Sequence, residues 1–382
     1  MKNTALIRPF FRGQGTAAPE ATLGDVARAR RAGGMHERAV APEAPFGDVA
    51  EKTARFAAVD LLGEVPATGA RVASAPTQAA AGKLRRHTAL TTTSRYVTAG
   101  DVRVHVLEHG AGEPVLFIHG VGGWAEHWQG TFPALARAGF KAIACDLPGF
   151  GLSAAPADVR YLDPPNPYYA RFIQELLAAL GLERVTLVGH SLGGAIAAVS
   201  AMCFPEIISR LVLVAPGGFG RALSPSLRLC GLPLFAQAAR IAPERLFRRF
   251  VTSDWHDRER VPEWFYADAL HYCRNGALAE FGRVMSQLVT LRGPKRSLQR
   301  AWRNRAGEIF CPTLIMWGRQ DRTVPLSNAT SFDGLGNAQR EVVEDAGHLL
   351  MLEQPDLFQR SLLSFLSATP TADGEAEALM AS

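Results

Sequence analysis

Ten residues constrain this chain more than any others: Val185-Thr186-Leu187-Val188-Gly189-His190-Ser191-Leu192-Gly193-Gly194. An apolar run ends in Gly-His-Ser-Leu-Gly, and small residues follow from Gly194 to Phe204. The pattern predicts a buried strand that turns sharply into a helix, with a serine on the turn. The turn is so tight that a side chain at position 189 or 193 would strike neighbouring backbone, so both are glycine. The serine hydroxyl is left above the strand ends. The Leu192 N–H comes to a helix N-terminus, where a backbone donor can face an oxyanion. A glycine-rich turn with an idle serine has the same local sequence, so the assignment depends on what else the chain supplies.

The order of elements supplies a frame. Val102–Glu108 alternates apolar and polar residues, as a half-exposed strand does. Val115–Ile118 and Phe140–Cys145 are short apolar strands, with a helix expected from Glu126 to Arg137 between them. A second helix is expected over Tyr168–Leu180, then the serine strand and its helix, then a strand at Leu211–Val214. Strand and helix alternating in this way argue for a mostly parallel sheet covered on both faces, with the alternating strand at an antiparallel edge. The alternation stops at Ala215-Pro216-Gly217-Gly218. Residues 217–306 read as an inserted helical cap without a strand, and the sheet resumes at Thr313–Trp317 and Arg340–Val343. A last helix is expected from Pro355 to Leu366, with Leu357, Leu362 and Leu363 toward the core.

Composition separates the two ends from this frame. Residues 1–90 are rich in Ala, Gly, Pro, Thr and Arg and poor in large apolar residues, so they are expected to form a disordered extension to a domain at 91–368. Within them, Val49–Val65 fits a short helix and Leu6–Phe11 a small apolar patch. Residues 369–382 are expected to fray. Five scattered cysteines, the lack of a long apolar run and the lack of a signal peptide point to a cytoplasmic protein with free thiols.

Serine needs a base to become a nucleophile. Two later turns offer partners: Asp321 in Trp317-Gly318-Arg319-Gln320-Asp321, and His348 in Asp345-Ala346-Gly347-His348. The first follows a buried strand and the second follows the next strand, so both are expected at the edge of the sheet that carries Ser191. Asp146, after its own strand, is an understudy to Asp321. His119-Gly120-Val121-Gly122-Gly123 follows the strand ending at Ile118, so the Val121 N–H can join the Leu192 N–H as an oxyanion donor.

From about Tyr96 to Ala368 the sequence resembles the α/β-hydrolase fold superfamily. The carriers are His119-Gly120, Asp146-Leu147-Pro148-Gly149-Phe150-Gly151-Leu152-Ser153, Gly189-His190-Ser191-Leu192-Gly193, Trp317-Gly318-Arg319-Gln320-Asp321 and Gly347-His348, and the triad order is Ser…Asp…His. The resemblance implies an eight-stranded, mostly parallel sheet with helices on both faces, an inserted cap, and catalysis by Ser191, Asp321 and His348. Ser191, where dehalogenases and epoxide hydrolases have Asp, implies attack on an acyl carbonyl. Ala215–Gly220 and Trp317–Pro325 look like segments of meta-cleavage-product hydrolases, which cut carbon–carbon bonds. Those usually carry Asn before the nucleophile and Trp after the histidine, where this chain has His190 and Leu349. Carboxylic ester hydrolysis through an acyl-enzyme is therefore the first expectation. Carbon–carbon hydrolysis, acyl transfer on the same triad, and a binding protein that keeps the fold without catalysis are the alternatives.

His119, Trp124 and His190 are candidate substrate contacts, although bracing of the loops accounts for the histidines and packing for Trp124 and its neighbour Trp128. The remaining histidines lack ligand spacing, and neither a P-loop nor a dinucleotide fingerprint is present, so no metal and no cofactor are expected. Residues 217–306 hold sixteen Lys/Arg against seven Asp/Glu. Solvated helix faces account for most of this charge, with an anionic substrate, an acyl carrier or a membrane surface as the functional alternatives. Nucleic acid is not expected.

Overall fold

The computed structural model describes residues 91–157, 159–164, 167–241 and 244–368. The readings made on residues 1–90 and 369–382 lie outside these. Eight strands form one sheet: β1 (Thr93–Ala99), β2 (Val102–Gly110), β3 (Glu113–Ile118), β4 (Phe140–Cys145), β5 (Val185–His190), β6 (Ile208–Val214), β9 (Thr313–Gly318) and β10 (Ala338–Val343). Their order across the sheet is β1-β2-β4-β3-β5-β6-β9-β10. Pairing is antiparallel at β1/β2 and β2/β4 and parallel elsewhere. β5, the serine strand, is buried along its whole length between β3 and β6, as its unbroken apolar run requires.

Helix α1 (Phe132–Arg137) packs on β2 and β4, and α2 (Tyr168–Leu180) packs on β1. Helix α3 (Leu192–Cys203) lies against β5 and β6. Eleven of its twelve residues are buried, which accounts for its composition of Gly, Ala and Ser beside Ile, Val and Met. Between β6 and β9 the chain leaves the sheet for α4 (Pro225–Cys230), α5 (Phe235–Arg240), α6 (Glu244–Val251), α7 (Glu263–Tyr272), α8 (Leu278–Leu288) and α9 (Arg296–Arg305). After β10 come α10 (Leu350–Glu353) and α11 (Pro355–Ser367).

Several details differ from expectation. The antiparallel edge is β1, and β2 lies one place inside it, with His105 buried where alternation put it outside. His105 is satisfied there: Nδ1 pairs with Asp146 Oδ2 at 2.8 Å and Nε2 with Ser94 Oγ at 2.8 Å. The helix expected at Glu126–Arg137 begins as a 3₁₀ turn, Ala125–Thr131, and becomes α-helical only at Phe132. The insertion holds a small hairpin, β7 (Val289–Thr290) with β8 (Gly293–Pro294). In α11 the buried residues are Phe358, Leu362, Phe365 and Leu366, with Leu357 and Leu363 half-buried.

Candidate active site

The geometry of β5–Ser191–α3 follows from crowding. A Cβ on Gly189 would stand 2.1 Å from the Gly193 carbonyl oxygen, and one on Gly193 would stand 2.4 Å from that of Ile118. No side chain fits either place. Ser191 itself has φ 52° and ψ −113°, a left-handed conformation that a non-glycine residue adopts only when its surroundings impose it. They do so by three backbone bonds. Ser191 N–H donates to Val214 O at 2.9 Å, and its own carbonyl accepts from Gly217 N–H at 2.9 Å and Ala195 N–H at 3.0 Å.

Asp321 and His348 arrive on neighbouring turns after β9 and β10. Gln320 N–H donates to Ala346 O at 3.0 Å, and Ala346 N–H donates back to Gln320 Oε1 at 3.1 Å, so the two turns are tied. His348 Nδ1 lies 2.7 Å from Asp321 Oδ2. The other oxygen, Oδ1, accepts from the Thr323 and Val324 N–H groups, each at 2.8 Å, which fixes the carboxylate's orientation. Both residues are buried. Burial works to lower the basicity of His348, but the charge and hydrogen bond of Asp321, helped by the charges of Asp254 and Glu353, leave it raised above an ordinary imidazole. Ser191 and His348 line the same cavity. The hydrogen bond between them is not formed among the described contacts, and such bonds commonly tighten only with substrate in place.

Asp146 does not stand in for Asp321. Its Oδ1 accepts from Ala125 N–H at 2.7 Å, and its Oδ2 accepts from Leu152 N–H at 2.8 Å and pairs with His105. Ser94, His105 and Asp146 thus repeat the residue types of the triad, yet none of them lines the cavity.

The cavity is about 350 Å³ and reaches from Ser191 into the insertion. Its walls are chiefly aromatic and aliphatic: Phe235, Phe247, Phe250, Phe265 and Phe281, with Trp124 from the β3 side. Among the described lining residues there is no Lys or Arg, and the one carboxylate is Asp254. A second space of about 60 Å³ lies between Leu192, Met285, Trp302 and Val324, and the two share Val121, Ser191 and Leu227. The backbone bonds of the described loops engage neither the Val121 nor the Leu192 N–H.

The remaining candidates divide. His119 is buried beside the cavity wall, where Nδ1–H donates to Gly120 O at 2.7 Å and Nε2 accepts from Leu147 N–H at 2.9 Å. That arrangement needs the neutral ring, and burial pushes its basicity down accordingly. His190 lines the cavity, gives Nε2–H to His348 O at 2.9 Å and lies with its ring centroid 4.6 Å from that of His348, the planes tilted by 53°. Trp124 lines the cavity as well, whereas Trp128 packs in the core between Phe117 and Phe358.

Two lining residues carried no sequence signal. His127 is buried against Trp124 and Phe265 with neither ring nitrogen hydrogen-bonded, and burial, then the neighbouring His119, lowers its pKa to about 3. Asp254, in the insertion, accepts from Thr323 Oγ1 at 2.6 Å through its side chain and from His348 N–H at 2.8 Å through its carbonyl. Burial raises its pKa against the pull of His348 and Thr323. No motif surrounds it, because its contacts come from residues about seventy and ninety positions away.

The family profile described as alpha/beta hydrolase fold matches residues 113–355. A 2-hydroxy-6-oxo-6-phenylhexa-2,4-dienoate hydrolase of Comamonas testosteroni is 31% identical over 278 residues, which cover 70% of this chain and 92% of that protein. Among solved structures, a meta-cleavage product hydrolase from Pseudomonas fluorescens IP01 superposes with a TM-score of 0.58 at 25% identity, over 71% of this chain and 97% of the other. A protein described as a putative lipase from Acinetobacter baumannii AYE gives 0.61 at 24% identity, over 72% and 91%, a likeness of fold alone. With the sheet order, the strained serine turn and these matches together, the chain belongs to the alpha/beta hydrolase fold family.

Proposed function

We propose that this hydrolase cleaves a bond to the carbonyl carbon of an uncharged substrate with a large apolar group. The observation that carries the proposal is a Ser191/His348/Asp321 set opening on a cavity whose described lining holds no Lys or Arg. In this reading His348 takes the Ser191 proton as the oxygen attacks, and Asp321 holds the imidazolium. The Val121 and Leu192 N–H groups receive the oxyanion, each donor contributing about 3 kcal/mol to lowering the barrier. His348 then protonates the leaving group and activates water to release the acyl-enzyme. The aromatic chamber takes the large group, and the smaller space, room for about two waters, takes the short one. The insertion acts as a cap that screens the reaction from bulk water.

Two bonds fit this chemistry. The relatives, hydrolases of dienoates by name, support carbon–carbon cleavage better than ester cleavage. A specific feature favours the ester. A dienoate carries a carboxylate, and burying it without a cation is costly, while the acid already present, Asp254, would repel it. His190 and Leu349 stand where the carbon–carbon enzymes usually have Asn and Trp.

The test is turnover of nitrophenyl esters of increasing acyl length beside a vinylogous 1,5-diketone dienoate, with labelling by a fluorophosphonate probe. Ester turnover that rises with acyl length is expected, and preference for the dienoate would establish the carbon–carbon reading. Ser191→Ala is expected to lower kcat by about 10⁶-fold and to abolish labelling, with Ser94 not substituting. Failure of the wild type both to label and to turn over either substrate would leave only a binding role.

A further inference from the structure

Five of the eight large hydrophobic side chains exposed among the described residues fall in one short segment: Leu229, Leu232, Leu234, Ile241 and Leu246. Ile241 is 85% exposed and Leu234 71%. Such a concentration marks a contact surface, since exposed apolar residues are otherwise scattered. Its charge is one-sided: residues 228–249 hold five arginines and one acid, Glu244. Arg248 is spent on Glu263 at 2.7 Å and on the face of Tyr266, while Arg240, Arg245 and Arg249 are exposed and form no ion pair among the described residues. Glu244 accepts from Tyr266 O–H at 2.8 Å.

The inner side of the same helices is the cavity wall. Phe235, Ala238 and Ala239 of α5 and Phe247 and Phe250 of α6 line the chamber that leads to Ser191. Leu246 belongs to both surfaces, lining the chamber while 53% exposed, so the outer patch and the cavity are continuous.

We propose that α4–α6 seat on the surface of an anionic lipid bilayer, so that an apolar substrate passes from the lipid into the cavity. Short helices with aliphatic side chains beside arginines are suited to the boundary between headgroups and acyl chains, and anionic lipid attracts the three unpaired arginines. An acidic carrier protein would satisfy the arginines and leave the aliphatic side chains in water. The seating holds whichever bond the site cuts, and only the passage of substrate depends on the apolar-substrate reading.

Flotation of the full chain with vesicles of phosphatidylcholine, alone or mixed with phosphatidylglycerol, tests this without turnover. Binding to the anionic vesicles is expected, roughly a hundredfold stronger than to neutral ones for three arginines. Leu234→Asn with Ile241→Asn, and separately Arg240→Gln with Arg249→Gln, are expected to weaken it about tenfold or more. Each pair should leave the far-ultraviolet dichroism unchanged. Absence of flotation, equal flotation with both vesicle types, or variants that float like the wild type would each overturn the proposal. So would capture by an acidic acyl-carrier protein without vesicle binding, or a dimer that the Leu234/Ile241 pair dissolves while vesicles are ignored.

Discussion

Of the carboxylates that raise the basicity of His348, Asp321 and Asp254 act differently. Asp321 bonds to its ring, while Asp254 raises its basicity by charge and holds the backbone N–H by its carbonyl. In the proposed mechanism His348 must be neutral to accept the Ser191 proton, so activity is expected to rise with pH as His348 loses its own. Asp254→Asn keeps an acceptor for Thr323 and removes the charge. The imidazolium is then less favoured, the His348 pKa falls, and the acid limb of the kcat/KM profile moves to lower pH. Plateau activity should drop far less than the roughly 10⁴-fold expected of Asp321→Asn. An acid limb that stays in place would show that the Asp254 charge does not reach the reaction.

The element that carries the site is the turn between β5 and α3, and it leaves no room for change. Gly193→Ala would drive a methyl group into two carbonyl oxygens, those of Ile118 at 2.4 Å and His119 at 2.6 Å. Overpacking of this kind costs about 1–3 kcal/mol, so a lower Tm is expected together with loss of probe labelling at Ser191. Labelling at the wild-type rate would mean that the turn accommodates the methyl group. This element was legible in the sequence because its signal is local: an apolar strand, two glycines and a serine within ten residues. The turns bearing Asp321 and His348 were legible for the same reason. The chamber was not. Phe235, Phe250, Phe281 and Asp254, all within the insertion, become neighbours of Ser191 only when the insertion folds over the sheet, and no spacing in the chain records that. His105 misled the strand reading because alternation assumes a polar side chain seeks water, and here Asp146 and Ser94 replace the water. Among the described residues, the non-glycine positive φ angles occur at Ser191, Ala215 and Asp345, each just past the C-terminal end of a sheet strand. Backbone strain is thus gathered at the edge where the proposed chemistry takes place.

Across the whole molecule, buried histidines link stability to acidity. His127 is neutral when folded, with a pKa of about 3, and takes a proton near pH 6.5 when unfolded. Between those values the unfolded state binds one more proton, so this residue makes stability fall as pH falls, by about 1.4 kcal/mol per pH unit. Burial puts His119 and His190 on the same side, while the raised acids Asp254, Glu280 and Glu353 oppose them. The comparison that isolates one residue is His127→Phe against the wild type. Between pH 6 and 4 its unfolding free energy, from denaturant titration, should decline less steeply by about that slope. Equal slopes would mean that His127 is protonated in the folded chain. The insertion has a further consequence for engineering. Exchanging it for one from another hydrolase is an obvious way to redirect specificity, since it supplies most of the chamber walls. Yet the His348 N–H bonds to Asp254 O, Thr323 Oγ1 to the Asp254 carboxylate, and His256 N–H to Glu353, the acid that also holds Gly347. A graft cut at the ends of the insertion would remove the clasp on the histidine along with the walls. The transplantable pieces are the helices on either side of residues 252–256, and that short stretch has to stay with its host.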